Sequence, residues 1–167
     1  MKIVISESQY QRLIEAEEKP KILEFPSLEF FDNNPFEAWK IIQKIIERKG
    51  NPPYSIGGDL LLGNTPIESL GNLQSVGGSL FLYGTPIESL GNLVSVGGYL
   101  DLHGTEIKSL GNLQSVGGYL DLRYSRIKSL GNLQSVGEFL DLRKTPLSKM
   151  YTREQIREMV NVELIFL

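Results

Sequence analysis

The sequence has a single histidine, His103, two residues after Asp101. An imidazole and a carboxylate at that spacing on a β-strand share one face, the minimum arrangement for general acid–base work. No nucleophile–base constellation, metal-ligand spacing or phosphate-binding loop accompanies them. The expectation is a protein that is not an enzyme and uses no cofactor. The more telling chemistry is periodic. Asp101, Asp121 and Asp141 recur at equal intervals, followed two residues later by His103, Arg123 and Arg143 and preceded by Tyr99, Tyr119 and Phe139. Stacked parallel strands lie about 4.8 Å apart, so equivalent positions become neighbours. Three aspartates in such a column repel one another unless something compensates. Arg123 and Arg143 share a face with Asp121 and Asp141, so ion pairing is the simplest reading; a cation held between aspartates is the alternative.

What positions these columns is a repeat of 20 residues. Ser55-Ile-Gly-Gly-Asp-Leu-Leu-Leu returns as Ser75-Val-Gly-Gly-Ser-Leu-Phe-Leu, then at Ser95, Ser115 and Ser135, and Ile-x-Ser-Leu-Gly-Asn-Leu runs between the copies from Ile67, Ile87, Ile107 and Ile127. A fixed short period means that each unit is one turn of a solenoid, unable to bury its apolar residues without neighbours. Alternation in Tyr99-Leu-Asp-Leu-His103 puts Leu100 and Leu102 inward and Tyr99, Asp101 and His103 outward. Ile107, Leu110, Leu113 and Val116 complete the inward set. The glycine pair at Gly77-Gly78 and its equivalents makes the corner before each strand. The glycine-rich stretch after the strand is expected to be extended or 3₁₀ backbone. Recurring asparagines (Asn72, Asn92, Asn112, Asn132) and threonines (Thr65, Thr85, Thr105, Thr145, with Ser125) form ladders that satisfy turn backbone groups.

Three regions follow. Residues 1–54 do not repeat and are expected to cap the solenoid, because an uncovered strand edge invites further pairing. Within them, Lys2–Ile5 reads as a strand, Ser6 with Gln9 opens a helix carrying Tyr10, Leu13 and Ile14, and a charged linker ends at Pro20. Residues 1–16 are alternatively a small docking arm. Asn34 and Pro35 then start a helix that Gly50 ends. Its predicted buried stripe is Phe36, Trp39, Ile42 and Ile46, widened by Ile41 and Ile45. Residues 55–150 are the array. Residues 151–167 are a C-terminal cap, with a capping box at Thr152 and Gln155 and a last strand within Val162–Leu167.

The formal charge of −3 is too mild for a general nucleic-acid binder. There is no cysteine, which excludes disulfides and thiolate metal sites and favours a reducing compartment. The beginning lacks the apolar core of a signal peptide, and no stretch approaches the roughly 18 apolar residues of a membrane span. The expectation is a cytoplasmic protein, or a virion component if it belongs to a particle, with no membrane contact.

The strand string Leu80-Phe-Leu-Tyr-Gly-Thr-Pro-Ile87 resembles the signature of leucine-rich repeats, and Ser-Leu-Gly-Asn-Leu-x-Ser-Val-Gly-Gly resembles the L-domain type of β-helix found in some receptors. Threonine or serine in place of the usual asparagine, and the short unit, favour a flatter solenoid over a helix-backed horseshoe. The resemblance implies a mostly β fold: a right-handed parallel β-solenoid of about five turns with helical caps, recognising protein through its exposed strand face.

On that face the repeats differ. The outward residues Leu61, Phe81, Tyr83, Tyr99, Asp101, His103, Tyr119, Asp121, Arg123, Phe139, Asp141 and Arg143 are the candidate partner-binding set, rich in the aromatic and arginine side chains that dominate interfaces. Charge is also polarised. Residues 55–94 hold three acidic side chains and no Lys or Arg, whereas residues 95–150 hold seven basic and five acidic ones. The expected function is a non-catalytic module binding an unidentified protein. The alternative is a structural or decorating component of a viral or bacterial assembly, with self-association through the ends.

Overall fold

In a computed structural model of the protein, residues 6–8, 21–26 and 34–167 are described. The expected strand at 2–5, most of the helix after Ser6 and of the docking arm, and the linker up to Pro20 lie outside them. The elements are β1 (Leu23–Phe25), α1 (Pro35–Arg48), β2 (Tyr54–Ile56), β3 (Leu60–Leu61), β4 (Leu73–Val76), β5 (Leu80–Phe81), β6 (Ser95–Val96) and β7 (Leu100–Asp101). They continue with β8 (Ser115–Val116), β9 (Leu120–Asp121), β10 (Ser135–Val136), β11 (Phe139–Asp141), a 3₁₀ turn (Leu147–Lys149), α2 (Arg153–Met159) and β12 (Leu164–Phe166).

These elements make a mostly β, parallel β-solenoid with two ladders rather than one. A Ser-Val sheet runs β1-β2-β4-β6-β8-β10 and a Leu-Asp sheet runs β12-β11-β9-β7-β5-β3. Every pairing between coils is parallel, as Leu100 on Leu120 and Ser95 on Ser115. Five copies of each strand are separated by four circuits of the chain, so the solenoid has about four turns rather than the five that counting copies suggests. The leucine alternation by itself predicts one strand per coil. The Ser-Val dipeptide before the glycine corner is a second one, too short for its alternation to register.

The core is a set of apolar columns. Leu60, Leu80, Leu100, Leu120 and Leu140 stack beside the column Leu62 to Leu142, and facing them are the isoleucines, leucines and valines of the other two sides, all buried. Polar positions close the turns. Thr65, Thr85, Thr105 and Thr145 each donate from Oγ1 to the carbonyl of the leucine three residues earlier, at 2.6–2.8 Å. Ser69, Ser89, Ser109 and Ser129 accept the N–H of Gly71, Gly91, Gly111 and Gly131, which have left-handed backbone. In the asparagine ladder the Asn72 side-chain amide donates to the Asn51 carbonyl at 2.6 Å, as expected, and that of Asn92 donates to Asn72 Oδ1 at 3.0 Å.

The two ends are built differently. At the first coil, Asn34 caps α1 by accepting the N–H of Glu37. The helix buries Ala38, Trp39, Ile42 and Ile46, with Phe36 partly buried; Ile41 and Ile45, expected to widen that stripe, are exposed. Ala38 takes the place beside Ile42 that the broader stripe assigned to them. Tyr54 locks helix to coil: its hydroxyl donates to the Leu70 carbonyl at 2.7 Å and accepts from Gln43 at 3.1 Å. Leu23–Phe25, whose pattern shows no clear period, extends the Ser-Val sheet by pairing with β2. At the far end the predicted capping box forms at Thr152 and Gln155, and β12 extends the Leu-Asp sheet. Two arginines of α2 then occupy carbonyls of this last strand region: Arg153 Nε donates to the Ile165 carbonyl at 3.1 Å and Arg157 to that of Glu163 at 3.5 Å. Carbonyls held in this way are less available to an added strand. Among the described residues no helix is long and apolar enough to cross a membrane.

Candidate functional site

The outer surfaces of the two sheets differ in kind. On the Ser-Val sheet Ser75, Ser95, Ser115 and Ser135 repeat without change beside Gly77, Gly97, Gly117 and Gly137, lining a shallow groove. On the Leu-Asp sheet the side chains differ from coil to coil. An added Cβ at Gly97, Gly117 or Gly137 would overlap the carbonyl oxygen of the corresponding glycine one coil earlier. The missing side chains let the coils approach to the spacing that the ladder hydrogen bonds impose on both sheets.

Three outward columns result. In the first, Tyr99 and Tyr119 stack with ring centres 4.4 Å apart and planes 12° from parallel, and Tyr119 stacks on Phe139 at 5.1 Å. Phe166 closes the stack edge-on at 5.7 Å. Offset stacks of this kind add about 0.5–1.5 kcal/mol per pair beyond burial. Part of the aromatic surface is therefore satisfied within the solenoid, and Tyr119 and Phe139 are only half exposed. Tyr83 lies flat over the first coil because Gly63 beneath it has no side chain. Leu61 and Phe81 continue the apolar surface, Leu61 being 48% exposed.

The second and third columns form an ion-pair ladder with one irregular rung. Arg123 donates to both oxygens of Asp121 through Nε and Nη2, and Arg143 does the same to Asp141. Arg123 also approaches Asp141 at 3.7 Å, tying the two coils together. Covered by these guanidiniums, Asp121 and Asp141 are only 6% and 3% exposed, so the last coils present arginine rather than aspartate at their surface. The hydrogen bonds to Asp121 hold the Arg123 guanidinium protonated beyond its usual range. Among the described residues no group of three or more His, Asp or Glu is placed to hold a metal ion.

Asp101 is the irregular rung. Among the described residues it is the one aspartate of the column without an ion pair. The arginine position two residues on is His103, whose backbone N–H donates to Asp101 Oδ1 at 2.9 Å while its ring packs edge-on against Tyr124 at 5.6 Å. Burial raises the Asp101 carboxyl above its usual pKa, the charge of Asp121 adds to this, and the His103 N–H and the charges of His103 and Arg123 oppose it. Tyr124 has left-handed backbone (φ 58°) and is 60% exposed, where the equivalent position two coils away from the end is a glycine. Bulky residues adopt that conformation at a cost of about 1–2 kcal/mol.

The Asp101 shift predicts a pH signature. A carboxyl whose folded pKa lies above its unfolded value stabilises the fold most in acid and loses that contribution as pH rises through the folded value. Asp101→Asn, which keeps the acceptor for the His103 N–H, is therefore expected to melt above the wild type at pH 7. The difference should vanish below about pH 3.5, where the unfolded carboxyl is also protonated. Thermal melts of both proteins across that range check it; a variant less stable at pH 7 would contradict the assignment.

Of the expected site residues, the structure brings Leu61, Phe81, Tyr83, Tyr99, Asp101, His103, Tyr119, Arg123, Phe139 and Arg143 onto one sheet surface, with Asp121 and Asp141 beneath the arginines. Sequence reasoning passed over Tyr124 and Phe166. Tyr124 falls where coils two and three have glycine, and that substitution was the available signal; Phe166 lies outside the repeat and carries none. Fold and surface together define a parallel β-solenoid repeat protein with an invariant frame and one variable sheet face. No protein-family model, curated protein or solved structure matches the chain.

Proposed function

We propose that the protein is a non-catalytic protein-binding module that engages its partner through the outer surface of the Leu-Asp sheet. The observation that carries this reading is the contrast between the two sheets. The side chains that build the stack repeat, whereas the outward Leu-Asp columns change along it, from Leu61, Phe81, Tyr83 and Tyr99 in the first three repeats to Arg123 and Arg143 in the last two. Aromatic and arginine side chains on a rigid frame bind at low entropic cost. The Leu-x-Leu-x-x-Thr-x-Ile string and the same division into constant core and variable strand face support kinship with leucine-rich repeats. The lack of cysteine supports a reducing, cytoplasmic setting.

Quantitative pull-down with the intact chain and with Phe81→Ala/Tyr99→Ala/Tyr119→Ala tests the reading. The expected result is a monomer by light scattering whose partner binds at least about thirtyfold more weakly to the triple variant, as loss of hot-spot aromatics implies. Circular dichroism establishes that the variant is folded. Interactions that survive the substitutions, or a stoichiometric place in a particle held through the non-repeating ends, would instead support the assembly role.

A further inference from the structure

Resting on that reading, we propose that the face takes an arginine side chain of its protein partner between Asp101 and the aromatic residues Phe81 and Tyr99. The neighbouring rungs show the chemistry in cis. At Asp121 and Asp141 a guanidinium two residues along the strand closes both carboxylate oxygens with Nε and Nη2. At Asp101 the same position is His103, turned toward Tyr124, and among the described residues the carboxylate's one hydrogen bond comes from the His103 backbone N–H. Arginine fits the surroundings better than lysine. Its planar fork matches a carboxylate bidentately, and its flat face stacks on aromatic rings. Phe81 pairs directly with Asp101 across the sheet, and Tyr99 stands two residues before it on the same face. The pairing of Arg143 with Asp141 beneath the Phe166 ring, 5.4 Å from the guanidinium carbon, is the same combination built within the chain.

Charge complementarity points the same way. In the outward columns of this face the coils on the Phe81 side carry Asp59 and no Lys or Arg, so they favour a cation; Glu88, outside those columns, is paired with Lys108. Arg123, on the other side, is engaged by Asp121 and directs the incoming group toward Phe81.

The test is selection of a displayed library of random peptides on the full chain, with Phe81→Ala/Tyr99→Ala as the counter-target. Synthetic copies of the enriched peptides are then measured by calorimetry. The expected result is enrichment of arginine and binding weakened at least about tenfold by Asp101→Asn. His103→Arg should weaken it equally, by supplying the guanidinium in cis, while leaving the melting temperature as high as or higher than wild type. Replacing the peptide arginine by lysine should also cost affinity. Peptides that need Phe81 and Tyr99 but contain no arginine, or bind Asp101→Asn and His103→Arg unchanged, overturn the arginine assignment and leave the face reading standing. Failure to enrich any peptide over the counter-target overturns both. Self-association abolished by Asp101→Asn would replace the external partner with a second copy of this chain.

Discussion

Gly117→Ala is expected to destabilise the protein by about 3 kcal/mol, against about 1 kcal/mol for Gly111→Ala, although both add one methyl to a glycine of the same coil. The difference is in what the methyl meets. At Gly111 nothing lies within 4 Å, and the cost is the left-handed backbone (φ 57°) alone. At Gly117 the new Cβ overlaps the carbonyl oxygen of Gly97, and that backbone is itself held by the Gly117 N–H donating to the Val96 carbonyl at 2.9 Å. Neither coil can retreat without stretching its ladder. Gly118 is more tolerant: its added Cβ meets first the Tyr99 ring, and the nearest backbone atom is 3.3 Å away. One coil later Glu138 occupies the equivalent position. Urea unfolding of the two alanine variants measures the contrast, and equal costs would sink the close-stacking argument.

Leu102→Ala is expected to cost about 3–4 kcal/mol, within the range for truncating a fully buried leucine. Leu102 stands between Leu82 and Leu122 in a column with no solvent exposure, and the backbone on either side is fixed by ladder bonds such as Leu82 N–H to the Asp101 carbonyl at 2.8 Å. The cavity therefore collapses poorly. Stability in a solenoid is close to a sum over neighbouring coils, so a central defect weakens two interfaces at once. The expected readout is a lower urea midpoint with an unchanged slope. A halved slope would mean that the coils on either side unfold separately. Because Leu102 lies between the outward Asp101 and His103, the same variant should also weaken arginine-peptide binding, without altering the side chains that make it.

Leu100 and Leu102 are buried as the alternation requires, since a one-residue error in a strand would turn both outward, and Ile107, Leu110, Leu113 and Val116 are buried with them. The two capping motifs at Asn34 and Thr152 form because they depend on residues three apart. Ile41 and Ile45 could not be placed, because a helix period alone does not say how wide a stripe its neighbour will cover. β1 was not legible, since three residues derive their strand character from the edge of β2 and not from their own pattern.

The site divides in the same way. The twenty-residue period determined the stack, its inward leucines and the existence of variable outward columns, because periodicity is local information repeated until it fixes geometry. The same spacing foretold that Arg123 and Arg143 pair with Asp121 and Asp141. Only the tertiary structure decided how far those aspartates are buried, that Arg123 also reaches Asp141, and that Tyr99, Tyr119 and Phe139 stack on one another. Those outcomes depend on side-chain direction and desolvation between coils, which sequence spacing does not encode.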